Sequence, residues 1–371
     1  MPPTTDCFWE HLSGAYAFCP GINIEEGPTP YIVFGMGQTS WAINPSYELV
    51  GTGLNTSGQV AIGSTASPVL SYTSSGDQLD IPLRWDGGNQ HVAAVILGTI
   101  YVAGDNSDGR LGLGTSGFGN METSLVSSGL TGTHVACGIQ HTILISEGTV
   151  WGAGANNYGE LGLGYTGQED TFLNTGVTAD SVTANSDDSM ILKDGNVWSA
   201  GRNRYGSLGI NSTSSTSSFI DTGVSADFIS IGSTHSAILK DGNVWVSGRN
   251  NKGQLGLDNG NNNTEVFTDT GISATAVACG LEHTLIIKDG NVWGCGDNGH
   301  GELGILGGGT YAVFTDVGIS ADSISAGFWA SSIVKSGTVW TTGYSGQGGG
   351  GRGSTVLTYE FTNTLQGIPG G

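Results

Sequence analysis

A phrase that recurs seven times is the feature of this chain that most limits its fold. It consists of an apolar pair, one or two small residues, and Gly-x-Asn-x-x-Gly, usually followed by x-Leu-Gly. Its clearest copies span residues 150–164, 197–210, 244–257 and 292–305, and looser copies span 49–63, 100–114 and 339–351. The first glycine of each copy, here the mark glycine, is Gly53, Gly104, Gly154, Gly201, Gly248, Gly296 or Gly343. Spacings of 51, 50, 47, 47, 48 and 47 residues indicate a series of equivalent structural units.

Each repeat predicts about four short strands. In the fifth copy, Asp241-Gly242 separates two short apolar runs, which is a strong β-hairpin signal because both turn positions need positive φ. A further segment follows the phrase and reads FIDTG at 219–223, FTDTG at 267–271 and FTDVG at 314–318. No stretch has the i, i+3, i+4, i+7 apolar spacing of a long amphipathic helix. Short antiparallel strands joined by tight turns are therefore expected throughout.

Seven such units predict an all-β fold, a seven-bladed β-propeller of four-stranded antiparallel blades. The propeller is expected over residues 31–371, and residues 1–30 form a short arm outside the repeat. A lone unit could not bury its own apolar face, so the blades must pack on one another. A tryptophan just before most mark glycines is predicted to fill the space between blades, at positions Trp151, Trp198, Trp245, Trp293 and Trp340.

The repeated residues also carry a family resemblance. The phrase Gly-x-Asn-x-x-Gly-x-Leu-Gly, preceded by Val-Trp and by Gly-x-x-His-[Thr/Ser], resembles the repeat of the regulator of chromosome condensation family, whose members look like seven-bladed propellers. The resemblance covers about residues 31–365. Its Phe-x-Asp-Thr-Gly variant is more similar to bacterial and bacteriophage versions of the repeat than to the eukaryotic nuclear ones. The terminal copies depart from it, with Val60-Ala61 in place of Leu-Gly and Ser345 in place of Asn.

The resemblance implies three activities that the sequence does not favour: DNA binding, exchange on small GTPases and photoreception. Chromatin-associated members bind DNA through basic tails, but residues 1–14 contain no Lys or Arg, and 11 basic against 32 acidic residues give a net charge of −21. Such a charge repels phosphates, so no nucleic acid partner is expected. Exchange on small GTPases stays open as an alternative, although no wedge-like insertion interrupts the even spacing. The clustered tryptophans of the plant ultraviolet photoreceptor are absent, with only Trp329 comparable.

Four histidines at one repeat position, His91, His141, His235 and His283, raise the question of a metal site. Equivalent positions on different blades form a wide ring, whereas the ligands of one metal ion must lie within about 2 Å of it. Two further occurrences of the position hold Asp188 and Ala330. We therefore predict structural histidines that bond to backbone, and no metal.

No catalytic or cofactor motif is present in the sequence. It lacks a Gly-x-Ser-x-Gly elbow, His-Glu-x-x-His and a phosphate loop ending in Gly-Lys-Ser or Gly-Lys-Thr. The Asp-Gly-Asn triplets at 194–196, 241–243 and 289–291 lack the terminal Glu of a calcium loop and are interpreted as hairpin turns. The sequence thus predicts a protein without catalytic residues or cofactor. An enzyme site in a cleft assembled from loops of several blades would not be visible as a linear motif, so this alternative stays open.

The five cysteines and the targeting signals bear on the compartment. Cys7 could pair with Cys19 and Cys279 with Cys295, whereas Cys137 and Cys279 lie on blades too far apart. There is no signal peptide and no 18-residue apolar run, so a soluble protein without membrane insertion, made in a cytoplasm, is expected.

Two places where the repeat varies are candidate partner-binding sites. The arm of residues 1–30 is unusually aromatic, and its Phe8 and Trp9 are expected to dock on the propeller or on another subunit. Basic residues cluster in the Gly-x-Asn-x-x-Gly loops of the fourth and fifth repeats, at Arg202, Arg204, Arg249 and Lys252. These loops are either a solvated pair or a docking spot for an acidic partner or glycan. Lys193, Lys240, Lys288 and Lys335 recur on the opposite, hairpin face.

Together these features predict a noncatalytic structural or interaction protein, a bacteriophage virion component such as a capsid decoration, tail or fibre-associated protein. Its partners would be protein subunits of a larger assembly, formed in the host cytoplasm. The alternative is an adhesin that binds a host receptor or glycan. A second alternative is a small-GTPase exchange factor or a propeller enzyme with a loop-built site.

Overall fold

The structure is a computed structural model that describes residues 10–12, 16–18, 32–34, 39–43, 48–67, 69–78, 83–336, 338–344 and 357–364. Side chains are described for residues 52, 54–67 and 69, and for the described residues from 84 onward. The predictions made for Cys7, Phe8, Trp9 and Cys19 lie outside these residues. So does the glycine run at 348–351 of the seventh repeat.

Two sheets come before the regular part of the chain. Within the predicted arm, strands β1 (Glu10–Leu12) and β2 (Tyr16–Phe18) form an antiparallel pair. The first repeat then forms a four-stranded antiparallel ladder, the first-repeat sheet, from β3 (Ile32–Phe34), β4 (Thr39–Ile43), β5 (Glu48–Gly53) and β6 (Val69–Gln78).

Repeats two to seven each form a four-stranded antiparallel blade whose strands follow in chain order. The second-repeat blade has β7 (Leu83–Gly87), β8 (His91–Ile96), β9 (Thr99–Asp105) and β10 (Met121–Thr131). The third has β11 (His134–Cys137), β12 (His141–Ser146), β13 (Thr149–Gly154) and β14 (Glu169–Thr178). The fourth has β15 (Ser181–Asn185), β16 (Asp188–Lys193), β17 (Asn196–Gly201) and β18 (Thr216–Ser225).

The remaining three blades repeat this pattern. The fifth-repeat blade has β19 (Phe228–Ile231), β20 (His235–Lys240), β21 (Asn243–Gly248) and β22 (Thr264–Ser273). The sixth has β23 (Ala276–Cys279), β24 (His283–Lys288), β25 (Asn291–Asp297) and β26 (Thr310–Ser320). The seventh has β27 (Ser323–Ala326), β28 (Ala330–Lys335), β29 (Thr338–Gly343) and β30 (Thr358–Asn363). First strands of neighbouring blades contact each other, which places them innermost in the propeller.

The predicted set of seven equivalent blades is corrected to six. Five core clusters join the consecutive blades of repeats two to seven. The first-repeat sheet lies between the two ends of this series, with β3 contacting β7 on one side and β27 and β28 on the other. The first repeat also differs chemically, because Ala61 occupies a position where the following repeats have glycine. Ala61 packs in a buried cluster with Trp85, Val92, Ala94 and Ala103 of the second-repeat blade.

The predicted hairpins are confirmed. Lys240 pairs with Asn243 across a two-residue turn in which Asp241 and Gly242 have φ of 50° and 76°. Positive φ at both positions suits the right-handed twist of the flanking strands. Within the described residues, the helical structure is limited to one 3-10 turn at Arg204–Gly206. The prediction that the chain lacks long helices therefore agrees with the described part of it.

The hydrophobic core lies between blades. One cluster joins Ala93, Val95 and Ile100 of the second-repeat blade to Val135 and Leu144 of the third, and the other large clusters repeat this arrangement. Each blade thus buries its faces only because it has neighbours, as expected for radial repetition.

The predicted packing of the tryptophans is also confirmed, since all five lie half-buried against these clusters. Four of them have a lysine ammonium over the ring: Lys193 lies 4.7 Å from the Trp198 ring centre, Lys240 4.8 Å from that of Trp245, Lys288 4.6 Å from that of Trp293, and Lys335 5.6 Å from that of Trp340. The repeated lysines of the hairpin face therefore cover the outer side of the packed tryptophans.

Candidate partner-binding site

The four basic candidate residues, Arg202, Arg204, Arg249 and Lys252, lie on one side of the propeller, here called the loop face. It is formed by the turns between first and second strands and by the long loops between third and fourth strands. The two are in close contact: a Cβ on the mark glycine Gly154 would lie 2.4 Å from the carbonyl oxygen of Gln140. The loop face is thus built from residues some 15 positions apart that pack backbone to backbone.

The asparagine of the repeated phrase shapes each long loop. In the third repeat, Asn156 accepts a hydrogen bond from the Leu161 backbone N–H at 3.1 Å and donates one to the Tyr165 carbonyl at 2.8 Å. The same reach of five residues recurs from Asn55, Asn106, Asn203, Asn250 and Asn298. All these asparagines are buried. Sequence reasoning missed this role, although the fixed Asn-to-Leu spacing was its signal.

The Leu-Gly end of the phrase anchors each loop on the next blade. Leu161 is fully buried, and a Cβ on Gly162 would lie 2.3 Å from the ring of Phe219, which belongs to the fourth-repeat blade. Phe219 is the aromatic residue of the FIDTG segment. The two motifs that the sequence shows separately are therefore the two sides of one contact between blades.

The predicted basic residues lie close together, but three of the four form ion pairs within the protein. Arg202 forms an ion pair with Asp187 at 2.8 Å, and Arg249 forms one with Glu282 at 3.0 Å. Lys252 lies 3.0 Å from a carboxylate oxygen of Asp297. These contacts raise the pKa of Arg202 through Asp187, and that of Lys252 through Asp297.

The same contacts follow a rule from one repeat to the next. The residue before the second glycine of one loop contacts the residue after the mark glycine of the next. Tyr158 stacks with Arg202 at 4.5 Å and Tyr205 with Arg249 at 4.9 Å, Lys252 pairs with Asp297, and the rings of His300 and Tyr344 lie 5.9 Å apart. Three different kinds of contact, namely arginine on tyrosine, an ion pair and a pair of rings, thus join four pairs of consecutive loops at one structural position.

A double-mutant cycle should measure one of these junctions. Lys252→Ala and Asp297→Ala are each expected to lower the free energy of unfolding by less than about 1.5 kcal/mol, with a coupling of about 0.5–1 kcal/mol, because the pair is partly exposed. Urea unfolding of the four proteins at low and high salt tests this. Salt should reduce the coupling, and a coupling of zero at low salt would contradict the junction.

Arg204 is the predicted residue that stays available. Its side chain is exposed, and in the described part of the chain it forms no ion pair but lies 5.1 Å from the ring centre of Tyr205. Tyr205 has a φ of 64°, a left-handed conformation that side chains with a Cβ rarely adopt. Tyr158, at the same position in the third repeat, has no such conformation. The fourth-repeat loop is therefore distinct in both sequence and backbone.

An open groove of about 430 Å³ lies beside this loop. Its lining combines two cations, one aromatic ring, one carboxylate and two neutral polar side chains: Arg202, Arg204, Tyr205, Thr213, Asn263 and Glu265. Arg204, Thr213, Asn263 and Glu265 are exposed, so a ligand can reach them from solvent. Sequence reasoning found the two arginines but missed the polar side chains, which come from the far ends of two loops.

A second surface feature was only partly noticed in the sequence. Trp329 lies in the turn before β28, and its ring centre is 5.9 Å from that of His300, 6.1 Å from that of Tyr344 and 6.3 Å from that of Phe328. Tyr344 is 39% exposed. The sixth and seventh repeats thus meet through an aromatic cluster on the loop face.

The repeated histidines are structural, as predicted, but their partner differs from the prediction. The Nε2 atoms of His91, His141, His235 and His283 lie 2.8–2.9 Å from a hydroxyl oxygen of the next blade: those of Thr142, Ser189, Thr284 and Ser331. Thr284 in turn donates to the Gln254 carbonyl at 2.7 Å. The expected bond to backbone is therefore made through an intervening hydroxyl group.

Burial controls the protonation of these histidines. Desolvation lowers the pKa of His141 and His235 to about 3 and of His283 to about 4, because the charged imidazolium would lie without water between blades. Among the described residues no group of three or more His, Cys, Asp or Glu side chains could hold a metal ion.

Buried carboxyl groups show the opposite shift. Desolvation raises the pKa of Asp188 to about 6, against the opposing effect of hydrogen bonds from Ser207 at 2.5 Å and from the Asn203 N–H at 2.8 Å. Burial also raises the pKa of Asp86 to about 7. Both residues hold loops or neighbouring strands in place, and neither lines the groove.

The cysteines that are described are free and buried. Cys279 and Cys295 both pair with Thr284, from opposite sides of it. They are therefore separated by two strand spacings, about 9–10 Å, which exceeds the reach of a disulfide bond. The alternative of a Cys279–Cys295 bridge is thus wrong.

No described helix has the length and apolar character needed to cross a membrane.

Comparison with known proteins agrees with the repeat and the fold. Two models of the regulator of chromosome condensation (RCC1) repeat match, one at residues 241–287 and the other at residues 227–254 and 274–302. A comparison with curated protein sequences gives no significant match.

Solved structures are similar over most of the chain. Human WBSCR16 is 20% identical, with 82% of this chain and 86% of that chain covered and a TM-score of 0.71. Saccharomyces cerevisiae Prp20p is 18% identical, with 85% of each chain covered and a TM-score of 0.74. Yeast RCC1 (Prp20) bound to Kap60 is 17% identical, with 85% and 83% covered and a TM-score of 0.75.

These findings define the chain as a β-propeller of antiparallel four-stranded blades. More particularly, residues 227–302 match the RCC1 repeat, and the fold is similar to that of yeast RCC1.

Proposed function

We propose that the protein is a noncatalytic interaction propeller that holds a partner on its loop face. The observation that carries the proposal is the open groove beside the fourth-repeat loop, where Arg204 and Glu265 are both exposed. An open, charged groove suits recognition at a surface more than the enclosed, largely apolar pocket typical of small-substrate sites. The solved structure of yeast RCC1 with Kap60, and the binding of Prp20p to Gsp1p and histones, support a protein partner for a propeller of this type.

The more specific proposal is that the protein is a structural component of a bacteriophage virion, assembled in the host cytoplasm. Its support is the Phe-x-Asp-Thr-Gly form of the repeat, with a composition of 12% charged residues and 65 glycines in 371. A net charge of −21 opposes contact with the genome, so the protein's partners would be other protein subunits.

Quantitative mass spectrometry of purified phage particles tests the virion role. The chain is expected at a constant ratio to the major capsid or tail protein, and that ratio should persist after a high-salt wash and a density gradient. A nonstructural phage protein expressed at a similar level is the control. Loss of the chain from particles at the same step as the control would refute the virion role while leaving the interaction role standing.

Exchange on a small GTPase is the second candidate, and the similarity to a structure described as binding Gsp1p favours it. The test is release of a fluorescent guanine nucleotide from small GTPases in the presence of the full chain. We expect no acceleration. A rate increase that depends on protein concentration would replace the noncatalytic proposal.

A further inference from the structure

We propose that the groove between the fourth-repeat and fifth-repeat loops binds a carboxylated sugar unit of a surface glycan. Arg204 supplies the positive charge, since it is exposed and in the described part of the chain has no carboxylate partner. Arg202 also lines the groove, but its guanidinium group is already paired with the carboxylate of Asp187. A guanidinium group binds a carboxylate through two parallel hydrogen bonds, which makes Arg204 the natural anchor of an acidic ligand.

The remaining lining residues decide which acidic ligand fits. Glu265 is an exposed carboxylate in the same groove, and it would repel the side chains of an acidic peptide. A carboxylate is, however, a good acceptor for the hydroxyl groups of a sugar. Thr213 and Asn263 add a hydroxyl group and an amide to the same lining. One anchor for a carboxylate and three groups for hydroxyls match a uronic or sialic acid better than a peptide.

The groove is also held in shape before any ligand arrives. Tyr205 has a left-handed φ of 64°, and the guanidinium groups of Arg204 and Arg249 lie 5.1 and 4.9 Å from its ring centre. Backbone strain of this kind tends to occur where a site is preorganised. Asn263 is fixed in turn, since its side-chain oxygen accepts a hydrogen bond from the Asn250 N–H at 2.9 Å.

This inference rests on the proposed binding role of the loop face and does not depend on the virion role. A protein absent from particles could still bind the sugar, and a virion protein could fail to do so. The test for the virion role and the test for sugar binding can therefore each fail without the other.

Saturation-transfer NMR titrations of the full chain at low salt test the inference. The probes are free N-acetylneuraminic acid, glucuronic acid, glucose and a short Asp/Glu peptide. Both acidic sugars are expected to bind at least roughly fivefold more tightly than glucose. Arg204→Gln should weaken this binding about tenfold, as the loss of a charged hydrogen-bonded pair predicts.

Glu265→Gln separates the sugar from the peptide by the sign of its effect. Sugar binding should weaken, by about threefold, because a strong hydroxyl acceptor is lost. Binding of an acidic peptide would instead tighten, because it has carboxylates beyond the one on Arg204 and these lose a repelling charge. Lys288→Gln changes a charge on the hairpin face and should leave binding unchanged.

Two results would overturn the inference. One is the absence of saturation transfer to both acidic sugars while all variants keep the thermal midpoint of the parent. The other is peptide binding that strengthens in Glu265→Gln. Because Arg204 and Glu265 are exposed, their replacement is not expected to unfold the blades.

Discussion

Gly154→Ala is expected to lower the free energy of unfolding by at least about 4 kcal/mol, or to prevent folding, because two costs add at this position. The glycine has a φ of 107°, which alanine rarely adopts. An added Cβ would also lie 2.4 Å from the Gln140 carbonyl oxygen and 2.8 Å from the Cα of His141. Both contacts are backbone atoms of a packed turn, so neither can move without opening the loop face.

Gly148→Ala is the matched control. Gly148 also has positive φ, 74°, but a Cβ there would meet nothing within 4 Å. Its replacement should therefore cost about 1 kcal/mol, the conformational penalty alone. Urea unfolding of the two variants and the parent, followed by tryptophan fluorescence, measures the difference. Equal costs for the two substitutions would show that close packing under the mark glycine does not matter.

The sequence predicts the parts of this fold that depend on local chemistry. Asp241-Gly242 specifies its turn because the two residues alone decide whether positive φ is tolerated. The four-strand repeat and the inward-packing tryptophans follow from spacing, since a fixed period imposes the same contact in every blade. The blade count was less secure, because the first repeat departs from the phrase at Val60-Ala61.

Contacts between different repeats could not be predicted from the sequence in the same way. Arg202, Arg249 and Lys252 form a basic cluster in the sequence, yet each has an acidic partner from another loop or turn. Asp187 and Glu282 lie in turns whose position relative to the long loops only the assembled propeller defines. The groove has the same origin, because Thr213 and Glu265 come from different repeats. Arg204 is distinguished only by the contacts that it does not make.

For the histidines, the sequence predicts the structural role but not the contact partner. Their repetition predicts a structural role, and the wide ring formed by equivalent positions on different blades argues against a shared metal. The hydroxyl partner was nevertheless missed, although Thr142, Ser189, Thr284 and Ser331 each follow the same repeat position. A serine or threonine that recurs directly after this repeat position, whether or not the position holds histidine, is thus a signal that can be used in other chains of this type.

His235→Gln is expected to destabilise the protein by about 2–3 kcal/mol at pH 7.5, because it breaks the contact with Thr284 and disturbs a packed site. The cost should shrink by about 2–3 kcal/mol between pH 6.5 and 4.5. In the parent, the folded state keeps His235 neutral, with a pKa of about 3, whereas the unfolded chain takes up a proton below its ordinary value of 6.5. Falling pH therefore stabilises the unfolded parent, while glutamine does not titrate.

The comparison of variant with parent removes the opposing contribution of the buried carboxyl groups. The raised pKa values of Asp86 and Asp188 make the folded state gain stability as pH falls from about 7, but both proteins share this effect. Thr284→Ala is the control, because it breaks the same contact without removing a titrating group, so its cost should stay constant with pH. Urea unfolding at pH 7.5, 6.5, 5.5 and 4.5 provides the measurement. If the costs of His235→Gln and Thr284→Ala ran parallel across this range, the neutral buried imidazole would not contribute to acid sensitivity, and the ring of histidines between blades would serve packing alone.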